Sequence, residues 1–270
     1  ARRQAGSTFK PFLYAAAFET QKYTPVSWCL DAPRVYRDPW TGRAWKPENF
    51  GGEFDGAITL REALTRSKNL CSVELADAIG IPRLVDMAKR LGVATALPQT
   101  LALSLGAGEV TLLEMVNAYA TLAADGRRAE PTFIRKIVDA RGTTVAEADR
   151  SSVAALHAAV AYQTLDLMRS VVSDGTAREV RSLDRPVVGK TGTTNDARDA
   201  WFIGFTPDLV VGVWVGFDDN RPLGPKETGG RAAIPIWLDF MRATVDRFPS
   251  RDFTPPPGIL FALVDPKTGK

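Results

Sequence analysis

The strongest constraint on the fold is a change in sequence character about two thirds of the way along the chain. Residues 186–193, 199–205 and 209–217 are rich in β-branched and aromatic side chains and are separated by turn residues. This pattern is typical of consecutive antiparallel strands. Most of the preceding chain carries helical patterns instead. The sequence therefore predicts an α/β protein of the α+β type, in which an antiparallel sheet is flanked by helices.

Two capping boxes mark helix starts in the first half of the chain. Thr59 and Glu62 stand three residues apart, as do Thr111 and Glu114, so each pair can satisfy backbone donors at a helix N-terminus. These boxes lie within a helical subdomain predicted at about 59–130. Other helices are predicted at 7–18, 82–91, 154–172 and 234–248.

The remaining segments are predicted to be less regular. Residues 24–58 are dense in Pro, Gly, Trp and Asp, which indicates a long irregular loop that is functional or partly structured. A short hairpin is predicted at 132–146. Pro11 must lie in the first turn of its helix, because a deeper proline would break the backbone hydrogen-bond ladder.

Composition excludes several classes of function. The chain has 270 residues, a net charge of +3, and 45% hydrophobic against 24% charged residues, which is an ordinary globular balance. The basic residues are dispersed and form no stripe with aromatics, so a nucleic-acid partner is not expected. The most apolar stretch, 201–217, is too short and interrupted to span a bilayer. No signal peptide is recognisable, and the start at Ala1 suggests a piece of a longer protein.

Few residues are available for disulfide, metal or histidine chemistry. Cys29 and Cys71 are the two cysteines; the sequence cannot show whether they pair, and two unpaired thiols are the favoured interpretation. His157 is the single histidine, so His-rich metal sites are excluded and one Ser-His-Asp triad at most is possible. Its apolar helical surroundings favour a packed or half-exposed histidine over a catalytic one.

Ser7 and Lys10 form the first group with chemical potential. Three residues apart near a helix start, they share one helical face at about hydrogen-bonding distance. A serine hydroxyl needs an adjacent base, and lysine, with an ordinary pKa of about 10.4, provides one when burial and a neighbouring cation lower its pKa. The helix N-terminus also supplies backbone N–H donors for an oxyanion. Alone, this pattern is a weak signal, and a helix cap with a surface lysine is the favoured interpretation.

Two further groups occur later in the chain. Ser67 and Asn69, just after a short helix, can relay a proton and hold a peptide group, although polar residues at a helix end are the favoured interpretation for this group in isolation. Lys190, Thr191, Gly192 and Thr193 end a predicted strand, where a glycine lets another backbone approach closely. The lysine and the two hydroxyl groups suit a substrate carboxylate.

Together the three groups are far more specific than any one of them. The order S-x-x-K, S-x-N, K-T-G on helix, loop and strand is that of the penicillin-recognising serine enzymes. The flanking segments RQAGSTFKPF, GKTGTTND and DAWF, with TGG before AIPIW, resemble the transpeptidase domain of class A, bifunctional penicillin-binding proteins. The resemblance extends from residue 1 to about residue 248. It implies the β-lactamase/transpeptidase-like fold.

The resemblance also implies a role for each residue. Ser7 is similar to the acylated nucleophile, Lys10 to its general base, and Ser67 to the shuttle that protonates the leaving amine. Asn69 resembles a binder of the substrate amide, and Lys190 a residue that tunes the electrostatics. Thr191 and Thr193, beside Gly192, resemble residues that bind the substrate carboxylate. The backbone N–H groups of Ser7 and Thr193 are similar to those that form the oxyanion hole. No metal or organic cofactor is required.

The implied reaction is peptidoglycan cross-linking. A D-Ala-D-Ala stem peptide acylates the serine, an amine of a second stem peptide resolves the acyl-enzyme, and β-lactams acylate the serine and remain. The resemblance implies a full-length protein anchored in the inner membrane, with this domain on the periplasmic side and a preceding glycosyltransferase domain. Two alternatives remain open: a D,D-carboxypeptidase or serine β-lactamase, and a non-catalytic β-lactam-binding or docking module.

The resemblance also leads to expectations about domain boundaries. Residues 1–250 are predicted to be the transpeptidase domain, and 251–270 a proline-rich linker followed by an apolar strand that begins a further element. Sheet strands that precede the S-x-x-K helix in this family are expected to be missing from the chain. The isolated chain is therefore expected to be unstable, because helices that should cover those strands expose apolar surface.

Overall fold

A computed structural model of the protein describes residues 1–37 and 42–265. Helices and short strand pairs fill the first two thirds of the chain, and a three-stranded sheet follows. In chain order the elements are β1 (Arg3–Gln4), α1 (Lys10–Glu19), β2 (Trp28–Asp31), β3 (Tyr36–Arg37), β4 (Ala44–Trp45), β5 (Gly56–Thr59), α2 (Leu60–Thr65), α3 (Asn69–Ile79), α4 (Ile81–Leu91), β6 (Glu109–Val110), α5 (Leu112–Ala123), β7 (Arg127–Ala129), β8 (Lys136–Val138), β9 (Thr144–Glu147), β10 (Ser152–Ala154), α6 (Ala158–Ser173), β11 (Val188–Thr193), β12 (Asp199–Phe205), β13 (Val210–Gly216) and α7 (Ile234–Thr244).

The predicted antiparallel sheet is confirmed. Its strand order is β11-β12-β13, with Lys190 opposite Ile203 and Trp201 opposite Trp214. Every residue of β12 is buried, whereas β13 is half-buried. The central strand is continuously apolar apart from Asp199, as expected for a strand covered on both faces. β11 lies at one edge of this sheet, where its backbone can meet another segment.

Helix α1 is the centre of the core. Its residues from Lys10 to Phe18 are all buried, because the helix is apolar around its whole circumference and must be surrounded by protein. It packs against α3, α4 and α6. Tyr119 of α5 links it to the sheet, with ring centroids 5.7 Å from Phe12 and 6.3 Å from Phe205. The start of α1 is thereby fixed against the sheet.

The predicted helices form with small shifts at their ends. Both capping boxes are confirmed at the N-termini of α2 and α5. A 3-10 turn, Gly6–Phe9, precedes α1, and Pro11 lies in the first turn of the helix as predicted. α6 begins four residues later than expected because His157 is its exposed N-cap, whose Nδ1 accepts a hydrogen bond from Ala159 N. Residues 152–154 form β10 instead.

The segment 24–58 has more regular structure than predicted. β2 pairs with β5, and β3 with β4; residues 38–41 lie outside the described part. Cys29 on β2 and Cys71 on α3 are joined in a disulfide, with 5.5 Å between their Cα atoms. The expectation of two unpaired thiols was therefore wrong. Strand β2 packs against α3, a tertiary contact that local sequence does not reveal.

The last predictions concern the hairpin and the chain end. The hairpin predicted at 132–146 is present as β8 and β9. The apolar strand expected before Val264 is not formed: the described residues 251–265 pair with no strand. Residues 266–270 lie outside the description, and the division at residue 250 stays a prediction. No helix in the described ranges combines the length and apolar character needed to cross a membrane.

Candidate active site

The turn that carries Ser7 is packed tightly against the end of β11. Gly6 has a positive φ of 54°, and a β-carbon there would lie 2.9 Å from Thr193 O. A β-carbon at Gly192 would lie 2.8 Å from Ala5 O. This confirms the prediction that Gly192 permits a close backbone approach. The two glycines therefore set the distance between the Ser7 turn and the strand.

Ser67 lies in the short loop between α2 and α3, and its side chain points towards β11. Its φ is +58°, in the left-handed region that non-glycine residues seldom adopt. Ser67 Oγ accepts hydrogen bonds from Lys190 Nζ, 2.9 Å away, and from Lys10 Nζ, 3.3 Å away. The structure thus brings together groups that are 57 and 123 residues apart in sequence.

Lys10 is fully buried and its amine is directed into the Ser67 loop. Nζ donates to Ser67 O and Asn69 Oδ1, both at 2.7 Å, and to Lys68 O at 3.2 Å. The predicted hydrogen bond between Lys10 and Ser7 is not formed, since Ser7 Oγ makes no hydrogen bond within the described residues. The half-buried Ser7 hydroxyl therefore remains available to a substrate.

Both lysines have pKa values below the ordinary range. Burial, followed by the charge of Lys190, lowers the pKa of Lys10, against a smaller opposing effect of Asp31. Burial alone lowers the pKa of Lys190 to about 7. Two ammonium groups around one hydroxyl in a dry environment repel each other. The site therefore favours at least one neutral amine near neutral pH.

The end of β11 presents two hydroxyl groups, and alternate backbone N–H groups of the strand point away from β12. Thr191 Oγ1 lies 2.6 Å from Thr176 Oγ1, and Thr193 Oγ1 accepts a bond from Gly229 N at 3.0 Å, which leaves the Thr193 hydroxyl proton available. Thr194 N donates to Asp199 O. Because bonded pairs alternate along an antiparallel ladder, the Thr193 N–H points to the open edge of the sheet.

Asn69 lies at the first position of α3 and its side chain has protein partners at both ends. Oδ1 accepts from Lys10 Nζ, and Nδ2 donates to Glu48 O at 2.8 Å. An amide NH₂ has two protons, so one N–H of Asn69 remains for another acceptor. All eight residues singled out in the sequence therefore lie in one region. The Ser7 turn packs against the backbone of Gly192 and Thr193, and hydrogen bonds link Lys10, Lys190, Ser67, Asn69 and Thr191.

Sequence reasoning missed the residues that support the Ser67 loop. Lys68 Nζ pairs with Asp31 at 3.0 Å and with Asp55 at 2.7 Å. Asp31 is fully buried and also accepts from Asn49 Nδ2 at 2.6 Å. Asn49 Oδ1 in turn accepts from Asn69 N. Three of these residues belong to the segment predicted as a loop, and nothing in their spacing indicates convergence.

Acidic residues do not enter the immediate site in the described part of the chain. The hydrogen bonds of Lys10 and Lys190 go to carbonyl, amide and hydroxyl oxygens, with no carboxylate among them. No group of three or more His, Cys, Asp or Glu side chains within residues 1–37 and 42–265 is arranged to hold a metal ion. The chemistry available here is that of hydroxyl groups, amines and backbone donors.

Comparison with known proteins matches this chain to one family. Residues 1–242 match the model of the penicillin binding protein transpeptidase domain. Penicillin-binding protein 1A of Aquifex aeolicus is 39% identical over 267 residues, covering 99% of this chain and 36% of the relative. Penicillin-binding protein 1A of Neisseria lactamica is 39% identical over 269 residues, covering 96% and 34%. The chain thus spans about a third of the length of these curated relatives.

Solved structures share the fold. The crystal structure of penicillin-binding protein 1A from Haemophilus influenzae superposes with a TM-score of 0.93 at 29% identity, covering 99% of this chain and 46% of that one. PonA1 of Mycobacterium tuberculosis in complex with penicillin V gives a TM-score of 0.80 at 27% identity, with 95% and 72% coverage. The predicted transpeptidase-like fold is confirmed. The chain belongs to the penicillin-binding protein transpeptidase domain family.

Proposed function

We propose that this chain is a peptidoglycan D,D-transpeptidase that works through an acyl-enzyme on Ser7. The observation that carries the proposal is the convergence on Ser67 Oγ of the buried amines of Lys10 and Lys190, next to a serine whose hydroxyl has no protein partner among the described residues. A serine nucleophile needs a base with a lowered pKa. Burial of two amines beside one another supplies it.

The first half of the reaction forms the acyl-enzyme. Ser7 Oγ attacks the carbonyl carbon of the penultimate D-Ala while its proton passes to the neutral Lys10 amine. Such an amine keeps two N–H donors for Ser67 O and Asn69 Oδ1, its two shortest contacts, and has a lone pair left for the proton. The N–H groups of Ser7 and Thr193 stabilise the oxyanion, and one such donor contributes about 10² to 10³ in rate.

The second half exchanges the amine. The peptide C–N bond breaks, and the departing D-Ala amine takes a proton relayed from Lys10 through the Ser67 hydroxyl, which Lys190 orients. The amine of a second stem peptide then attacks the ester carbonyl, the ester C–O bond breaks as a new amide forms, and a proton of that amine passes to Ser7 Oγ. Asn69 binds the donor amide, and Thr191 and Thr193, beside Gly192, bind its terminal carboxylate.

The partners and location follow from the same proposal. Donor and acceptor stem peptides are the substrates, and β-lactams acylate Ser7 with ring opening, so that no leaving group departs. The solved PonA1 structure contains penicillin V, which supports this class of inhibitor. We place the domain on the periplasmic side of the inner membrane in a longer, anchored protein with a glycosyltransferase domain. The Cys29–Cys71 disulfide fits that oxidising compartment.

A fluorescent penicillin tests the nucleophile. The wild-type protein is expected to retain label through denaturing electrophoresis, and Ser7→Ala to retain none. Ser182→Ala is the matched control, because Ser182 is exposed and its hydroxyl accepts a hydrogen bond from the Arg242 guanidinium. Lys10→Ala should slow acylation by two orders of magnitude or more, since general bases contribute about 10² to 10⁴ in rate. Label on Ser7→Ala would exclude the proposed mechanism.

The alternatives are separated by the fate of the acyl-enzyme. Incubation with a D-Ala-D-Ala pentapeptide and an amine-bearing stem peptide should give cross-linked dimer by mass spectrometry. Hydrolysed tetrapeptide without dimer would favour a D,D-carboxypeptidase, and release of the penicillin adduct within seconds a β-lactamase. Folded protein that forms no covalent adduct would favour the docking module.

A further inference from the structure

The S-x-N loop is held by an ion pair that none of the proposed catalytic roles uses. Lys68, the middle residue of the motif, has its ammonium 3.0 Å from Asp31 Oδ2 and 2.7 Å from Asp55 Oδ2. Its side chain is 11% exposed and that of Asp31 is fully buried. Buried charges are almost always paired, because removal of one partner leaves an uncompensated charge out of water.

The same residue reaches Lys10 through its main chain. Lys10 Nζ donates hydrogen bonds to two neighbouring main-chain carbonyl groups, that of Lys68 at 3.2 Å and that of Ser67 at 2.7 Å. The side chain of Lys68 therefore fixes a peptide segment whose two carbonyl groups orient the proposed base. Ser67 needs such support because its φ of +58° is unfavourable for a residue with a β-carbon.

Asp31 is tied to the same loop by two further links. Asn49 donates to Asp31 Oδ1 through Nδ2 and accepts from Asn69 N through Oδ1. The disulfide joins Cys29, two residues before Asp31, to Cys71, two residues after Asn69. Asp31 is thus held at the base of the loop by three independent connections.

We propose that Lys68 and Asp31 act as a positioning pair for the proposed base Lys10: the ion pair holds the Ser67–Asn69 loop against the Lys10 amine, and the Lys68 charge offsets the charge of the Asp31 carboxylate. The inference deepens, and rests on, the proposed function. Among the described residues, neither side chain hydrogen-bonds Ser7, Lys10 or Ser67; Lys68 meets the Lys10 amine through its main-chain carbonyl.

The charge balance around Lys10 gives the sign of the expected effect. The charged groups that act on Lys10 are Lys190 from β11 and Asp31 from β2. Asp31 is itself paired with Lys68 of the loop, which also pairs with Asp55. Asp31 favours the protonated form of Lys10 and Lys190 disfavours it. Loss of the Lys68 charge leaves Asp31 uncompensated, so that Lys10 keeps its proton to higher pH.

The test is the pH profile of acylation by a fluorescent penicillin, measured on the full-length protein. Lys68→Met is expected to move the rising limb to higher pH by about one unit, the range for a charge at close distance. Asp31→Asn should move it to lower pH, and the double variant should return it near the wild-type position. Lys68→Arg keeps the charge and should keep the profile. Lys89→Met, an exposed lysine on α4, is the control.

Each result has a defined meaning. A uniform loss of rate in Lys68→Met at every pH, with no shift of the limb, would show a purely structural residue and overturn the inference while leaving the proposed function intact. If Lys68→Met does not fold, Asp31→Asn decides, since an unshifted limb there overturns the inference as well. Folded wild-type protein that is never acylated would overturn the proposed function and the positioning pair together.

Discussion

Lys10 and Lys190 share one hydroxyl group: Ser67 Oγ lies 3.3 Å from the amine of the first and 2.9 Å from that of the second. Both lysines are fully buried, and their protonation states are therefore coupled by repulsion and by burial. One lysine follows a turn at the start of the central helix, and the other lies on an edge strand. The site depends on how tightly that turn and that strand pack.

The first prediction concerns stability and pH. Lys190 has a pKa of about 7 in the folded protein, whereas a lysine in the unfolded chain has a pKa of about 10.4. Between these two pH values Lys190 is protonated in the unfolded state and neutral in the folded state. Its contribution to the free energy of unfolding therefore increases by about 1.4 kcal/mol for each unit of pH. Below pH 7 both states are protonated and the dependence disappears. Lys190→Met removes it. Urea midpoints at pH 6, 7, 8 and 9 should rise more steeply for wild type; parallel curves would contradict the prediction.

The second prediction uses two adjacent glycines. A β-carbon at Gly229 would lie 2.2 Å from Trp201 O, whereas at Gly230 the nearest atom would be 3.6 Å away. Gly229→Ala must therefore move its segment off the strand and break the bond from Gly229 N to Thr193 Oγ1. We expect a large loss of acylation and a lower melting temperature, with Gly230→Ala close to wild type. Equal behaviour of the two variants would refute the packing argument.

The third prediction concerns the disulfide. The Cys29–Cys71 bond closes a loop with a sequence separation of 42, for which chain entropy gives a stabilisation of about 4 kcal/mol. Reductant should lower the melting temperature of the wild type. The double variant Cys29→Ser, Cys71→Ser should melt at the temperature of the reduced wild type, whether or not reductant is present. A wild type insensitive to complete reduction, checked by thiol titration, would argue against this contribution.

The fourth prediction concerns the carboxylate of the inhibitor or donor. Thr193 Oγ1 accepts from Gly229 N, so its proton is free to be donated to a carboxylate. Hydrogen bonds to charged groups contribute about 1.5 to 3 kcal/mol, and Thr193→Val should lower the second-order rate of acylation by about 10- to 100-fold, whereas Thr193→Ser retains most of it. The rate is measured by stopped-flow fluorescence, and an unaffected Thr193→Val would remove this residue from the binding site.

Several features could be predicted from the sequence because their causes are local. The capping boxes at Thr59 and Thr111 satisfy neighbouring backbone donors, and Pro11 is confined to a first turn by its own ring. The three strands follow from composition and turn residues. The candidate site residues were proposed from the combined order of three short motifs, whose chemistry depends on residue type.

Other features were decided only by the tertiary structure, because they arise between segments that are distant in sequence. Cys29 meets Cys71, and Asp31 meets Lys68, only after β2 packs on α3. The helix predicted from residue 154 begins at Ala158, since local propensity does not show which residue will cap it. The sequence determined which groups are present. Long-range packing removed Lys10 and Lys190 from water, and this burial is the largest cause of their lowered pKa values.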